Sequence, residues 1–328
     1  MPKISVITAA YNHVKFIRQS VESVQAQTYR DFEHIVVDDG SSDGTAEILK
    51  SFVGQITYIR QDNRGAHAAI NEGIRRSSGD YIAIIDSDDA WLPNKLERQI
   101  EAIEKSPEAG MVYSLAYFIN SKGEVQDLVW LMGTPFDDPN VAFEELLEVN
   151  RIPIVTALVK RSCIEEVGFF SETLKALSDW DMWLRISAKW SIIFIPEKLA
   201  LYRVHENNAW HGLLKSGRVS RERLLLLRNA TAAMAGTDHE SNESRDRIRA
   251  AFGNRILYTS YEYCRRHQYG ELVRYLLFAL KLHPLYLRDV VFAARIHPTL
   301  FKKKGFVRVV PKLVLGERSI RDIKHFLI

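Results

Sequence analysis

Four times within the first 90 residues, a short β-branched apolar run gives way to a polar turn. The runs cover residues 3–8, 32–37, 56–60 and 81–85, and segments with helical spacing at 14–26, 45–52 and 66–75 separate them. Strands this continuously apolar are buried on both faces, and their alternation with helices predicts βαβ units in a mostly parallel sheet. Right-handed crossovers then place all four turns along one edge. Those turns carry Tyr11-Asn12, Asp38-Asp39, Asn63-Arg64-Gly65 and Asp86-Ser87-Asp88-Asp89. Each turn alone is ordinary loop chemistry. Together they form a continuous polar rim at the strand ends, where open α/β sheets bind ligands.

The fourth turn is the most charged. In YIAIIDSDDAWLP three carboxylates fall within four positions, and Pro93 suits the first turn of a following helix. Two readings stand: Asp88 or Asp89 caps that helix, or the crowded carboxylates hold a divalent cation that bridges a nucleotide diphosphate. A calcium loop is excluded, because Ala90 and Trp91 occupy the positions that need an oxygen ligand and a glycine. A dinucleotide fold is excluded as well. Its GxGxxG should follow the first strand, where this chain has AAYNH, and no Walker A loop is present.

Beyond residue 110 the pattern predicts strands at 111–118, 154–160, 192–195 and 199–204. Short helices are expected at 141–149 and 161–167, with a less regular insertion around 119–150 and a longer helix at 179–189. The last of these begins SDWDMWLRISAKW. Ser178 and Asp181 have capping-box spacing, so Asp181 is expected to close the helix start. Asp179 is then free to face a cleft and take a proton from a hydroxyl. Trp180 and Trp183 share a face, either in the core or at a cleft edge against a sugar ring. His205 in YRVHENN is either a hydrogen-bonded strand-end residue or a ligand for a metal or phosphate.

Five segments in order, SVITAAYN, FEHIVVDDGSSDGT, NRGAHAAINEGI, SGDYIAIIDSDD and SDWDMWLRI, resemble the successive motifs of family-2 glycosyltransferases over residues 3–205. The resemblance implies an α/β GT-A fold, Rossmann-like, with a mostly parallel sheet flanked by helices. It implies an inverting hexosyl- or N-acetylhexosaminyl-transferase that uses a nucleotide-diphosphate sugar, commonly a UDP-sugar. Tyr11 and Asp39 would then hold the nucleobase with Asp38 nearby, and Arg64 would lie by the base or diphosphate. Asp86-Ser87-Asp88 would be the DXD motif, with Asp86 toward the ribose and Asp88 on Mn²⁺ or Mg²⁺. Asp179 would be the catalytic base, and His205 would approach the metal. Two positions depart from the family pattern: Ser178 stands where many relatives have Glu, and Ala9 where some have Thr. A sugar-1-phosphate nucleotidyltransferase shares the layout, but it wants a glycine- and arginine-rich loop after the first strand. A nucleotide-sugar-binding protein without activity is the other alternative, and the retained aspartates speak against it.

The chain divides electrically. Residues 215–328 hold 23 Lys+Arg and 10 Asp+Glu, a net +13, while residues 1–214 hold 21 and 31, a net −10. This predicts a glycosyltransferase domain over 1–213, with a nucleotide-sugar half at 1–110 and an acceptor half at 111–213. A basic helical region at 214–328 follows, with helices at 214–235, 243–267 and 270–282. No apolar run approaches the ~20 residues of a membrane span. The opening MPKISVITAAYN has no signal-peptide pattern, and two cysteines give no disulfide framework. The expectation is a cytoplasmic protein, peripheral on the inner face of a membrane through FKKKGFVRVVPKLVLG, with a saccharide or lipid-linked saccharide acceptor and no nucleic-acid partner.

Overall fold

The computed structural model describes residues 3–126, 142–206, 218–266 and 268–282. The chain splits into two compact units, 1–213 and 214–328. In the first, strand β1 (Ile4–Ala10) leads to helix α1 (Ile17–Gln25), then β2 (Phe32–Asp38), α2 (Thr45–Lys50), β3 (Thr57–Arg60), α3 (Ala66–Arg76) and β4 (Tyr81–Asp86). There follow β5 (Ala90–Trp91), α4 (Lys95–Glu104), β6 (Ala109–Ile119), β7 (Val125–Gln126), α5 (Ala142–Leu146) and β8 (Leu158–Lys160). Helices α6 (Arg161–Val167) and α7 (Ser178–Ser187) and strand β9 (Ser191–Arg203) complete the described part of this unit.

One mixed sheet runs through it in the order β3-β2-β1-β4-β8-β6-β9-β5, with β7 added to β6. The first four strands are parallel, and β8 runs against both β4 and β6. Every residue of β1 is buried, as a strand covered on both faces requires. Gly73 lets α3 settle onto this strand, since a Cβ there would lie 2.5 Å from the Ile7 side chain. Register does the functional work: Ala10 pairs with Asp38, Asp38 with Arg60, and Ala9 with Asp86. The four polar turns therefore leave the sheet at one level.

Several elements differ from the sequence expectation. Helix α1 starts at Ile17 rather than at residue 14, because residues 13–16 form a turn closed by the Phe16 N–H on the His13 carbonyl. After the acidic turn the chain first makes β5 against β9, so α4 begins at Lys95. Asp89 therefore does not cap α4. The strand expected at 154–160 is a 3₁₀ turn, Ile154–Thr156, followed by only three strand residues. The two closing strands are one, β9, with register shifts against β6 between Ser114 and Ala116. The middle of the 119–150 insertion and everything beyond residue 282, including Lys302–304 in the FKKKGF run, lie outside the described residues.

The second unit is helical where described: α8 (Arg218–Met234), α9 (Asn242–Arg265) and α10 (Tyr269–Leu282). Its core joins Leu224 and Leu227 to Phe252, Ile256, Leu272, Tyr275, Leu276 and Ala279. No helix among the described residues is long and apolar enough to cross a membrane.

Candidate active site

The rim is built by side chains that answer one another's turns. Asp39 is buried, and its carboxylate accepts from the N–H groups of Arg64 and Gly65, at 2.9 and 2.7 Å, and from the Gln61 amide at 2.8 Å. It thereby shapes the third turn from the second. Asp38, fully buried, accepts from the Ser41 N–H, the Tyr58 hydroxyl and the Arg60 guanidinium, the last at 2.6 Å. Tyr11 stands out from the rim with 47% of its surface exposed. Arg64 is also exposed, and its guanidinium lies 3.4 Å from Glu172 in the loop before α7.

Asp86 ends β4, and Asp88 lies in the tight turn after it. His205, two residues past β9, places Nε2 at 2.9 Å from Asp88 Oδ2. His13 approaches from the first turn, with Nδ1 at 3.9 Å from Asp88 Oδ1 and 2.7 Å from the buried Ser87 hydroxyl. One ligand atom from each of His13, Asp88 and His205 lies within 4.8 Å of the others. Two imidazoles and a carboxylate make a donor set that fits a first-row divalent ion such as Mn²⁺ better than Mg²⁺, which favours oxygen. Burial pushes the Asp88 carboxyl up, but the His205 bond and the nearby His13 outweigh it and hold it below the usual carboxylate range. Burial, aided by the adjacent His205 ring, keeps His13 below the usual histidine range despite the Asp88 charge. A neutral imidazole beside an ionised carboxylate is the state in which these side chains ligate a metal.

Asp179 opens α7. Its Oδ1 accepts from the Trp180 N–H at 2.7 Å and its Oδ2 from the Asn150 amide at 3.0 Å. Burial pushes this carboxyl up to about 6, with those two bonds pulling the other way. Asp86 is pushed up to about 7 by burial, then by Asp88, then by Asp179. Since Asp179 ionises first, Asp86 bears their repulsion. The two acidic clusters thus feel each other across 93 residues of sequence.

The helix start itself is not the expected capping box. Ser178 Oγ donates to the Ser171 carbonyl, and Asp181 Oδ2 accepts from Arg185 Nε at 2.9 Å, one turn onward. Arg185 also donates to the carbonyls of Val167, Gly168 and Phe169. Asp181 therefore ties α7 to the loop before it and does not close the helix N-terminus. Trp180 and Trp183 are buried and donate to the Leu146 and Ile152 carbonyls. Both are core residues, so the reading of these rings as a sugar platform falls.

Three residues of the site carried no signal in sequence reasoning. His13 fell in a turn, Asn150 in an irregular stretch, and Arg203 within the strand expected at 199–204. In the fold Arg203 is 1% exposed.

The mixed sheet thus gathers on one edge a His/Asp set that could hold a metal ion and a carboxyl with a raised pKa, the make-up of an enzyme site. The family model for glycosyl transferase family 2 matches residues 5–159. A Bacillus subtilis protein named as a teichuronic acid biosynthesis glycosyltransferase, TuaG, is 31% identical over 237 residues, which cover 67% of this chain and 88% of TuaG. The chain belongs to family 2 of the glycosyltransferases. Two solved structures are similar in fold. One is S. aureus TarS 1–349 in complex with UDP-GlcNAc, with TM-score 0.60 and 17% identity over 91% of this chain and 90% of that one. The other is the mannosyltransferase PcManGT from Pyrobaculum calidifontis in complex with GDP-Man and Mn²⁺, with TM-score 0.58 and 17% identity over 92% and 88%. The fold is GT-A, and the reaction class is glycosyl transfer, as the sequence motifs implied, and not the alternative of nucleotidyl transfer.

Proposed function

We propose that this protein is a metal-dependent, inverting glycosyltransferase that takes a sugar from a nucleotide-diphosphate donor, a UDP-sugar first among candidates. The observation that carries the reading is the convergence of His13, Asp88 and His205 with Asp86 and Asp179 on one sheet edge. Tyr11 lies against the nucleobase and Arg64 by the base or diphosphate. Asp39 shapes the turn that presents Arg64, with Asp38 braced beneath by Arg60. Asp86, whose carboxyl burial and the neighbouring Asp88 push up, is suited to a ribose hydroxyl, whereas Ser87 serves His13. His13, Asp88 and His205 would hold the divalent ion, Mn²⁺ before Mg²⁺. When bound, that ion neutralises the charge that grows on the leaving diphosphate. Asp179 accepts the proton of the acceptor hydroxyl as that oxygen attacks the anomeric carbon from the face opposite the diphosphate. Partial burial raises its basicity toward the task.

The acceptor is a saccharide or lipid-linked saccharide, as in assembly of a bacterial surface polysaccharide, and the second unit brings the enzyme to an anionic lipid surface. Tyr269, Val273 and Leu277 recur every fourth residue along one face of α10 and are 46%, 42% and 60% exposed, with Arg274 and Lys281 interleaved. Residues 215–328 carry a net +13. Apolar side chains flanked by cations suit insertion among anionic headgroups, each cation adding on the order of 1 kcal/mol.

The function is tested by incubating the protein with UDP- and GDP-sugars, with Mn²⁺ or EDTA, and following nucleotide release. One donor class should be turned over in Mn²⁺ and not in EDTA, and Asp88→Ala should abolish release. Full turnover in EDTA would remove the metal from the mechanism. Cosedimentation with phosphatidylserine-containing and with neutral vesicles tests the second unit. Salt-sensitive pelleting with the anionic vesicles alone is expected, and absence of pelleting would refute the lipid surface.

A further inference from the structure

The groups assigned to the metal come from three separate elements: the turn between β1 and α1, the turn between β4 and β5, and the end of β9. One buried side chain touches all three. Arg203 Nε donates to the main-chain carbonyl of Asp88 at 2.6 Å. Its Nη2 donates to Gln19 Oε1 on α1 at 2.6 Å, and its Nη1 to the Asn120 carbonyl at 2.9 Å. Its guanidinium lies 4.8 Å from the centre of the Phe16 ring. Phe16 in turn sits 4.9 Å from the His205 ring and 6.2 Å from His13, and the two imidazoles are 5.9 Å apart. The main chain of Arg203 is held as well: its N–H donates to Asp89 Oδ1 at 2.7 Å. Both bonds are donated by Arg203, its main chain to Asp89 and its side chain to Asp88, two residues before His205 in the chain.

We propose that Arg203, locked by Asp89, is a positioning residue that sets the spacing of His13, Asp88 and His205. The proposal rests on the assignment of those three as metal ligands. A guanidinium suits this task because it is a rigid planar fork with five donors, so three partners on three elements are held at fixed angles. A lysine has the charge without the fork. Asp89 needs only its Oδ1 as an acceptor, so its amide analogue preserves the lock. Residues that orient metal ligands typically change metal affinity by about 10–100-fold when replaced.

The experiment uses the full chain and Mn²⁺ alone. Binding is titrated by the loss of free-Mn²⁺ EPR signal, and ligand nitrogens are counted by pulsed EPR. The wild type should show coupling to two imidazole nitrogens. Arg203→Lys should bind Mn²⁺ about 10–100-fold more weakly and lose at least one of these couplings. Asp89→Ala should do the same, and Asp89→Asn should restore affinity to within about threefold of wild type. Melting temperatures without metal identify any variant that has lost its fold. If Arg203→Lys does not fold, the Asp89 pair decides alone. Unchanged affinity and couplings in folded Arg203→Lys and Asp89→Ala would overturn the positioning role and leave the metal site standing. A wild type without imidazole coupling would overturn the metal site, and the proposal with it.

Discussion

Truncating Asn150 to alanine should slow the enzyme in acid and leave it nearly untouched in alkali. The Asn150 amide donates to Asp179 Oδ2 at 3.0 Å and helps to keep a buried carboxyl ionised. With Asp179 at about 6, about 0.9 of it is ionised at pH 7 and about 0.1 at pH 5. If it is the base, kcat/KM rises about tenfold across that interval. A hydrogen bond to a charged group contributes about 1.5–3 kcal/mol in full burial. Discounted for the partial exposure of Asp179, its loss moves the midpoint up by about one unit, at 1.36 kcal/mol per unit. Asn150→Ala should then fall to about half of wild type at pH 7 and to about one tenth at pH 5, and match it above about pH 8.5. Asn150 Oδ1 also accepts from the Ile152 N–H at 3.0 Å. That bond's loss costs stability of about 1 kcal/mol, equally at every pH. The assay is initial rate against pH at saturating Mn²⁺ for wild type, Asn150→Ala and Asp179→Asn, whose profile should be low and flat. A wild-type profile flat from pH 5 to 8 would refute control by Asp179. A loss of one constant factor at all pH values would make Asn150 a packing residue rather than one that tunes the base.

Two further outcomes follow from the same geometry. Asp86 ionises at about 7 in the fold against an ordinary 3.8, so its stabilising contribution is complete below about pH 4 and lost as pH rises through 7. Asp86→Asn cannot ionise, so urea unfolding in EDTA should show it gaining on wild type between pH 5 and pH 8, by on the order of 2 kcal/mol. Asp181→Asn leaves Arg185 without its charge partner at a buried contact. Chemical denaturation should register a loss of about 2–3 kcal/mol, more than a helix cap is worth, with kcat within about twofold of wild type. A loss of kcat without loss of stability would show that the roles of Asp179 and Asp181 are exchanged.

Local pattern in the sequence determined most of the first unit's sheet. Continuous apolar runs specify strands buried on both faces, and glycine, aspartate and asparagine specify the turns. One handed crossover rule then gathers those turns on one edge, so Tyr11, Asp39, Arg64, Asp86 and Asp88 were legible as a rim. Asp179 stood out for a similar reason, as an acidic residue at a helix start. What tertiary structure decided was partnership. Asp181 had the right spacing for a capping box, but in the fold its buried carboxylate accepts from Arg185 on the next turn. The partners of Asp88 are 117 residues away at His205 and 115 away at Arg203. Asn150 and Asp179 meet only because an irregular stretch packs against α7. Spacing along a chain reports which faces of a helix or strand agree. It carries no record of which distant side chain fills a buried hydrogen bond, because that is settled by register, packing and the cost of leaving a charge unpaired. Arg203 is the sharpest case: along the sequence it is only one residue of a strand, and in the fold its buried guanidinium joins Asp88, Gln19 and Asn120.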